Sequence, residues 1–364
     1  MTAVQNRPGL SAAPSARAPQ GALAPRLVFI DVLRLIAAVQ MIQGHSVAAV
    51  LAPAYRHGPA FQAWSFARGL TSVIFLVTAG LSFCLAEARG NDTAARKARV
   101  RRAFALIGLG YLMHAPLGLL LGAPLAETLR AALRVDVLQC IGVSLLSLEL
   151  IAVGFGSVWA RVSVAGLLGV SVLFAAPLTR TLVPSDGWLL LANYVTGQAG
   201  SLFPLLPWAG YVLCGFAIGS VVLRAPRHLW WSLAGLGLGA LLVGLSLRSL
   251  YLELPRGVSP AYSLVKLGCV LLLAGLLAFL LRGVTRLPRL LALLAGETLF
   301  LYLSHVVILY ADHVGLEPRL RDAHSPLFGV LLALGLLVLC GAGALGLRSL
   351  RRPSGSGTRA APSP

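Results

Sequence analysis

Apolar runs of about 18 residues or more recur along this chain, and each is long enough to cross a bilayer as an α-helix. Only 12% of its residues are charged, about half the share in a soluble globular domain, so polar surface is too scarce for a water-soluble fold. The fold class expected is an all-α integral membrane protein, a polytopic bundle of about ten transmembrane helices. The spans are expected near 27–51, 68–87, 102–121, 135–154, 159–177, 205–223, 229–248, 264–281, 290–311 and 326–347. Residues 178–204 read as neither span nor polar loop, and a short interfacial or re-entrant helix around Trp188 to Tyr194 suits them, since Trp and Tyr favour the headgroup level. Residues 1–25, rich in Pro, Ala and Ser, and the tail 349–364 are expected to be disordered. The segment 26–348 then forms one transmembrane domain.

The net charge is +18, from 30 Lys and Arg against 12 Asp and Glu. In a soluble chain this would suit nucleic acid, but basic residues in short loops orient membrane helices, so no nucleic-acid partner is expected. With the N-terminus cytoplasmic, about twice as many Arg and Lys fall on the cytoplasmic side as on the other. That asymmetry places both termini in the cytoplasm and makes the number of spans even. The acids Asp136, Asp186, Glu253, Asp312, Glu317 and Asp322 then lie on the outer side. Cys84, Cys140, Cys214, Cys269 and Cys340 all sit within apolar runs and none forms a C-x-x-C, so they read as small buried apolar residues, neither disulfides nor metal ligands. Gly118 with Gly122, and Gly235 with Gly239, have the spacing that suits close helix packing.

Against this apolar background the stretch "DVLRLIAAVQMIQGHS" stands out, because it puts an acid, a guanidinium and an imidazole in the first span. A charged group there costs at least about 2.5–3.5 kcal/mol and usually faces a bundle interior or a watery cavity. Asp31 and Arg34 are three apart and share a helix face. Arg34 and His45 are separated by eleven steps of about 100°, within about 20° of whole turns, so they lie on one stripe about 16 Å apart along the axis. Two plainer accounts stay open: Asp31 and Arg34 as an interfacial anchor with a snorkelling arginine, and His45 as a satisfied interhelical hydrogen bond.

Other spans carry polar groups at matching depth. His305 lies about 22 Å into the ninth span and His45 about 27 Å into the first, both counted from the inner end. His114 falls toward the outer end of the third span. Tyr302 shares a face with His305, and Glu297 sits at a depth like that of Arg34. Together they outline a cavity with a basic inner mouth and an imidazole-lined outer part, although separate buried polar contacts would give the same pattern. Imidazole is the usual general base at neutral pH. No G-x-S-x-G, H-E-x-x-H or P-loop is present, so a serine hydrolase, a zinc protease and an ATPase are unsupported.

"RLVFIDVLRLIAAVQMIQGHS" resembles the first span of the membrane-bound acyltransferase superfamily, whose Arg-x10-His spacing falls here on Arg34 and His45. "SVIFLVTAGLSFCLA" and "RVDVLQCIGVSLL" resemble its second and fourth spans. "FPLLPWAGYVLCGFAIG" resembles its Pro-Trp-Gly segment, and "LAGETLFLYLSHVVIL" its late Gly-x-Ser-Leu-x-x-Tyr-x-x-His span. These pieces run in order from Arg26 to Tyr310. "FPLLPW" and "VDVLQCIG" are closest to the heparan-α-glucosaminide N-acetyltransferase-like group, with the acyltransferase-3 group as near rival. The chain departs from the pattern at Leu35, where Gly is frequent, and at Glu297-Thr298, where Ser is usual.

The resemblance implies transfer of an acyl group, usually acetyl, from cytoplasmic acetyl-CoA or another acyl-CoA to an extracytoplasmic saccharide or glycolipid acceptor. His45 would be the catalytic histidine, as general base or transient acyl carrier. Asp31 and Arg34 would organise the CoA-facing end, and His305 and Tyr302 would line the acceptor side, where its depth places His114 as a further substrate-binding candidate. CoA is anionic, and "RKARVRR", with Arg101 and Arg102, and the group Arg282, Arg286 and Arg289 would attract its phosphates; the plainer account of each is topology-setting charge. No metal is called for. The location implied is a bacterial inner (plasma) membrane, and a homo-oligomer is compatible with the sequence. Two rivals of other classes are a transporter or flippase for a lipid-linked sugar, and a non-catalytic component of an envelope-biosynthesis complex.

Overall fold

The computed structural model describes residues 27–350 apart from 116–121, 123 and 312–314. The two expected disordered tails fall largely outside these residues, as do Gly118 and Asp312. In chain order the helices are α1 (Val28–Val50), α2 (Gly58–Arg89), α3 (Thr93–Met113), α4 (Leu125–Ala132) and α5 (Val137–Gly154). There follow α6 (Val158–Ala175), α7 (Leu189–Val195), α8 (Leu205–Val222), α9 (Leu229–Ser246) and α10 (Pro260–Leu280). The last are α11 (Arg289–Gly296), α12 (Thr298–Tyr310), α13 (Glu317–Leu320) and α14 (Pro326–Leu350). No strand occurs among the described residues. A single backbone bridge, Leu51 with His324, ties the end of α1 to the segment before α14.

Among the described residues, eight helices are long and apolar enough to span a membrane, and the chain is an integral membrane protein. The expected ninth span is broken. α11 and α12 meet at a 67° bend, because Glu297 leaves the helical region (φ −107°, ψ 23°) directly after Gly296. The expected third span also differs. α3 begins at Thr93 and carries Arg96, Lys97, Arg99, Arg101 and Arg102 in its first turns, too much charge for a span by composition. Its expected apolar continuation runs into 116–121, outside the described residues.

Local chemistry sets several helix starts. The Asp92 side chain accepts from the Ala95 N–H at 2.7 Å and caps α3. Asp136 caps α5 in a reciprocal box: its Oδ1 accepts from the Val137 N–H, and its own N–H donates to Gln139 Oε1. Ser259 caps α10, with Pro260 as the first helical residue. A short helix, α7, stands where one was expected around Trp188 to Tyr194.

α8 is the innermost helix. α2 and α6 pack on it, α9 pairs with α10, α3 with α5, and α1 with α14. Exposed apolar residues such as Trp231, Leu238, Leu242 and Val338 face outward from α9 and α14; in lipid such faces need no polar cover. Glycines permit the closest approaches. A Cβ on Gly80 would fall 2.1 Å from the Val212 carbonyl oxygen, and one on Gly215 2.4 Å from that of Val77. On α9 it is Gly237 and Gly244 that meet α10, whereas Gly235 and Gly239 have nothing within 4 Å. The expected pair therefore faces away, because the helix turns its packed stripe to the residue between them. Gly122 likewise meets nothing within 4 Å.

Candidate functional site

α1 carries Asp31 and Arg34 near its start and His45 near its end, and all three line one cavity of about 850 Å³. Along α1 that is about 21 Å of helix rise. α2 runs antiparallel beside α1, so Ser82 near its end meets Arg34, whose Nη2 donates to Ser82 Oγ. Ser82 Oγ in turn donates to the Thr78 carbonyl at 2.5 Å. Arg99 and Arg102 of α3 line the same end. Arg99 is held in a two-pronged pair by Glu149 (2.7 and 3.0 Å) and lies over the Phe83 ring. Arg101 and Arg289 are exposed and do not line the cavity.

Between the two ends the wall is mostly apolar, with Phe75, Leu106, Ile141 and Leu145, and Ser72 and Thr78 of α2 lie among them. At the far end the wall turns polar again with His45, Arg68, His114, Asp136, Tyr302 and Tyr310. His114 is the C-cap of α3 and Asp136 the N-cap of α5, so the antiparallel pairing of these helices brings the two side chains together. His114 Nε2 is 3.7 Å from Asp136 Oδ2, beyond a hydrogen bond. It is one of two buried side-chain polar atoms left without a partner among the described residues; Thr71 Oγ1, also on the wall, is the other. Such atoms are costly unless a ligand or water satisfies them. Asp136 Oδ2 accepts from the Tyr302 hydroxyl at 2.9 Å.

His305 sits behind His45, not on the cavity wall. It is fully buried, and its Nε2 lies 3.0 Å from His45 Nδ1. The Tyr310 hydroxyl donates to the His45 carbonyl at 3.2 Å. Arg68 crosses over Gly44, where an added Cβ would fall 2.6 Å from the arginine Cγ, and its guanidinium lies 5.1 Å from the centre of the Trp64 ring. Among the described residues no carboxylate lies within ion-pair distance of Arg68.

Sequence reasoning passed over Asp136, Arg68, Thr71 and Ser82 as site residues, and it took Arg99 only as part of the basic cluster "RKARVRR". Asp136 carried a usable signal, an acid inside "RVDVLQCIG" at the start of a span. Arg68 falls at the edge of an expected span, and nothing in the local pattern reveals that it lies over Gly44.

Fold and site together define a helical-bundle membrane protein whose interior cavity joins an arginine-rich end to an imidazole-rich end. A family model described as heparan-alpha-glucosaminide N-acetyltransferase, catalytic, matches residues 26–254, and the chain belongs to that family. The matched region contains Asp31, Arg34, His45, Arg68, Arg99, His114 and Asp136, and it ends before Tyr302 and His305. No curated protein matches the chain.

Proposed function

We propose that this protein moves an acyl group, acetyl being the simplest, from cytoplasmic acyl-CoA to a hydroxyl or amine on an extracytoplasmic saccharide or glycolipid, in a bacterial inner membrane. The observation that carries this reading is that one cavity has Arg34 at one end and His45 at the other. A donor and an acceptor in different compartments need such a route, because neither crosses the bilayer freely.

Each part of the donor has a matching surface. Arg34 and Arg102 offer cationic, planar donors to the phosphates of CoA. The long, uncharged arm that ends in the thioester suits the stretch lined by Phe75, Leu106, Ile141 and Leu145. The thioester then reaches His45. The acceptor binds from the other side, where His114 Nε2, Thr71 Oγ1 and the Asp136 carboxylate supply hydrogen-bonding capacity not used up within the protein. His45 takes the proton from the attacking group as general base, worth about 10²–10⁴-fold in rate; a transient acyl-His45 is the two-step version of the same transfer.

The test uses the purified full chain in vesicles, radiolabelled acetyl-CoA supplied on one face, and a panel of glucosamine-containing acceptors on the other. Label should appear on an acceptor and be lost in His45→Ala when that variant still elutes as a folded protein. Undiminished transfer by His45→Ala would sink the assignment. Movement of acceptor across the vesicle without consumption of acetyl-CoA would replace the enzyme with a transporter.

A further inference from the structure

His305 is fully buried, carries no hydrogen bond to a carboxylate among the described residues, and lies beyond the region that the family model matches. Its two ring nitrogens are both engaged. Nδ1 is 2.7 Å from the carbonyl oxygen of Leu301, one turn earlier on α12. A carbonyl oxygen only accepts, so the proton of this bond sits on His305 Nδ1. An imidazole buried this completely without a counter-charge is neutral and holds one proton. His305 Nε2 therefore presents a lone pair.

That lone pair faces His45 Nδ1 at 3.0 Å. One of the two nitrogens must donate, and His305 Nε2 has nothing to give, so His45 Nδ1 carries a hydrogen. In neutral His45 the remaining nitrogen, Nε2, is then unprotonated. It has no hydrogen-bond partner among the described residues, and its ring lines the cavity.

We infer that His305, itself anchored by the Leu301 carbonyl, is a positioning residue that locks His45 in the tautomer with the proton on Nδ1 and presents Nε2 as the base. This rests on the reading of His45 as the catalytic group. As the acceptor oxygen or nitrogen bonds to the thioester carbonyl carbon, its proton passes to His45 Nε2. When the carbon–sulfur bond breaks, that proton goes on to the departing sulfur and CoA leaves as the free thiol. The Nδ1 hydrogen stays in place throughout. Its bond to His305 becomes charge-assisted while His45 is an imidazolium, and so strengthens when charge develops. His305 touches neither substrate in this scheme.

The experiment reads the tautomer directly. The full chain is labelled with ¹⁵N-histidine, and the His45 signal among the seven histidines is identified by its loss in His45→Ala. Wild type should show a protonated Nδ1 and a bare Nε2. His305→Ala should scramble or reverse that pattern and lower kcat by about 10–100-fold with little change in KM for acyl-CoA. His305→Gln, whose side-chain oxygen can still accept from Nδ1, should keep the wild-type tautomer and recover part of the rate. A bare Nδ1 in wild type, an unaltered His45 signal in His305→Ala, or a His305→Gln variant no better than His305→Ala would each overturn the inference. If the tautomer is as stated but no acceptor is ever acylated, the lock stands and the acyltransfer reading fails.

Discussion

The hydroxyl of Tyr302 donates to Oδ2 of Asp136 across 2.9 Å, joining the cap of α5 to the middle of α12 and fixing one side of the imidazole-rich end. Oδ1 of the same carboxylate caps α5, so one residue serves the fold with one oxygen and the cavity with the other. Tyr302→Phe should therefore leave the helix cap intact and cost about 1 kcal/mol of stability. Its larger effect should be a several-fold rise in KM for the acceptor, with KM for acyl-CoA unchanged. Steady-state kinetics with each substrate varied in turn checks this.

Removing the whole carboxylate should do more. Asp136→Ala loses the cap as well, an additional 0.5–2 kcal/mol or about that, and so should lower the melting temperature in detergent measurably below that of Tyr302→Phe. Equal melting temperatures for the two variants would show that the cap contributes nothing.

Gly44 precedes His45 and lies under Arg68. A methyl group at this position would sit 2.6 Å from Cγ and 2.9 Å from Cδ of that arginine, too near the root of the side chain for its tip alone to move away. Gly44→Ala is expected to displace Arg68 from the cavity wall at a cost of about 1–3 kcal/mol. Fluorescence of the neighbouring tryptophan is a convenient readout, since Arg68 lies over the Trp64 ring.

A pair of glycine substitutions separates packed from unpacked helix faces. Gly215→Ala would bring Cβ within 2.4 Å of the Val77 carbonyl oxygen. It should push α2 and α8 apart and destabilise the bundle by about 1–3 kcal/mol. Gly235→Ala meets nothing within 4 Å and should be neutral, or stabilising by up to about 1 kcal/mol through helix propensity. Thermal unfolding of the two variants side by side tests the contrast.

Arg99 and Glu149 are both largely shielded, with side chains 11% and 7% exposed. Glu149→Ala leaves the arginine buried without its partner and should cost about 3–5 kcal/mol. The double variant with Arg99→Ala should recover much of that loss. A double variant as unstable as the single one would mean that Glu149 acts through something other than this pair.

What could be read from the chain follows the range of the interactions involved. The stripe of Asp31, Arg34 and His45 depends only on the helical period, and all three do line one cavity. The apolar runs that mark the spans are local in the same way. Contacts between helices distant in sequence were not legible. Asp136 finds Tyr302 across 166 positions, and His45 finds His305 across 260. The expectation that His305 lines the cavity came from its depth, and its acceptor-side role from the family resemblance; neither tells which face of α12 turns inward. On α9 the spacing of Gly235 and Gly239 suggested a packing seam, but Gly237 makes it, because rotation about a helix axis is decided by the partner. The break between α11 and α12 left only a weak trace, a glycine beside an acid in an apolar run.

The apolar residues Phe75, Leu106, Ile141 and Leu145 on the wall between the two polar ends have an electrical consequence. A continuous file of water from Arg34 to His45 would let protons hop from one compartment to the other and discharge the ion gradients that the bilayer maintains. Side chains without donors or acceptors give such a file little to hold on to, and apolar stretches of a passage tend to empty of water. On the proposed reading, the side chains that take the carrier arm also interrupt such a file, so the two aqueous spaces exchange an acyl group without being joined as conductors.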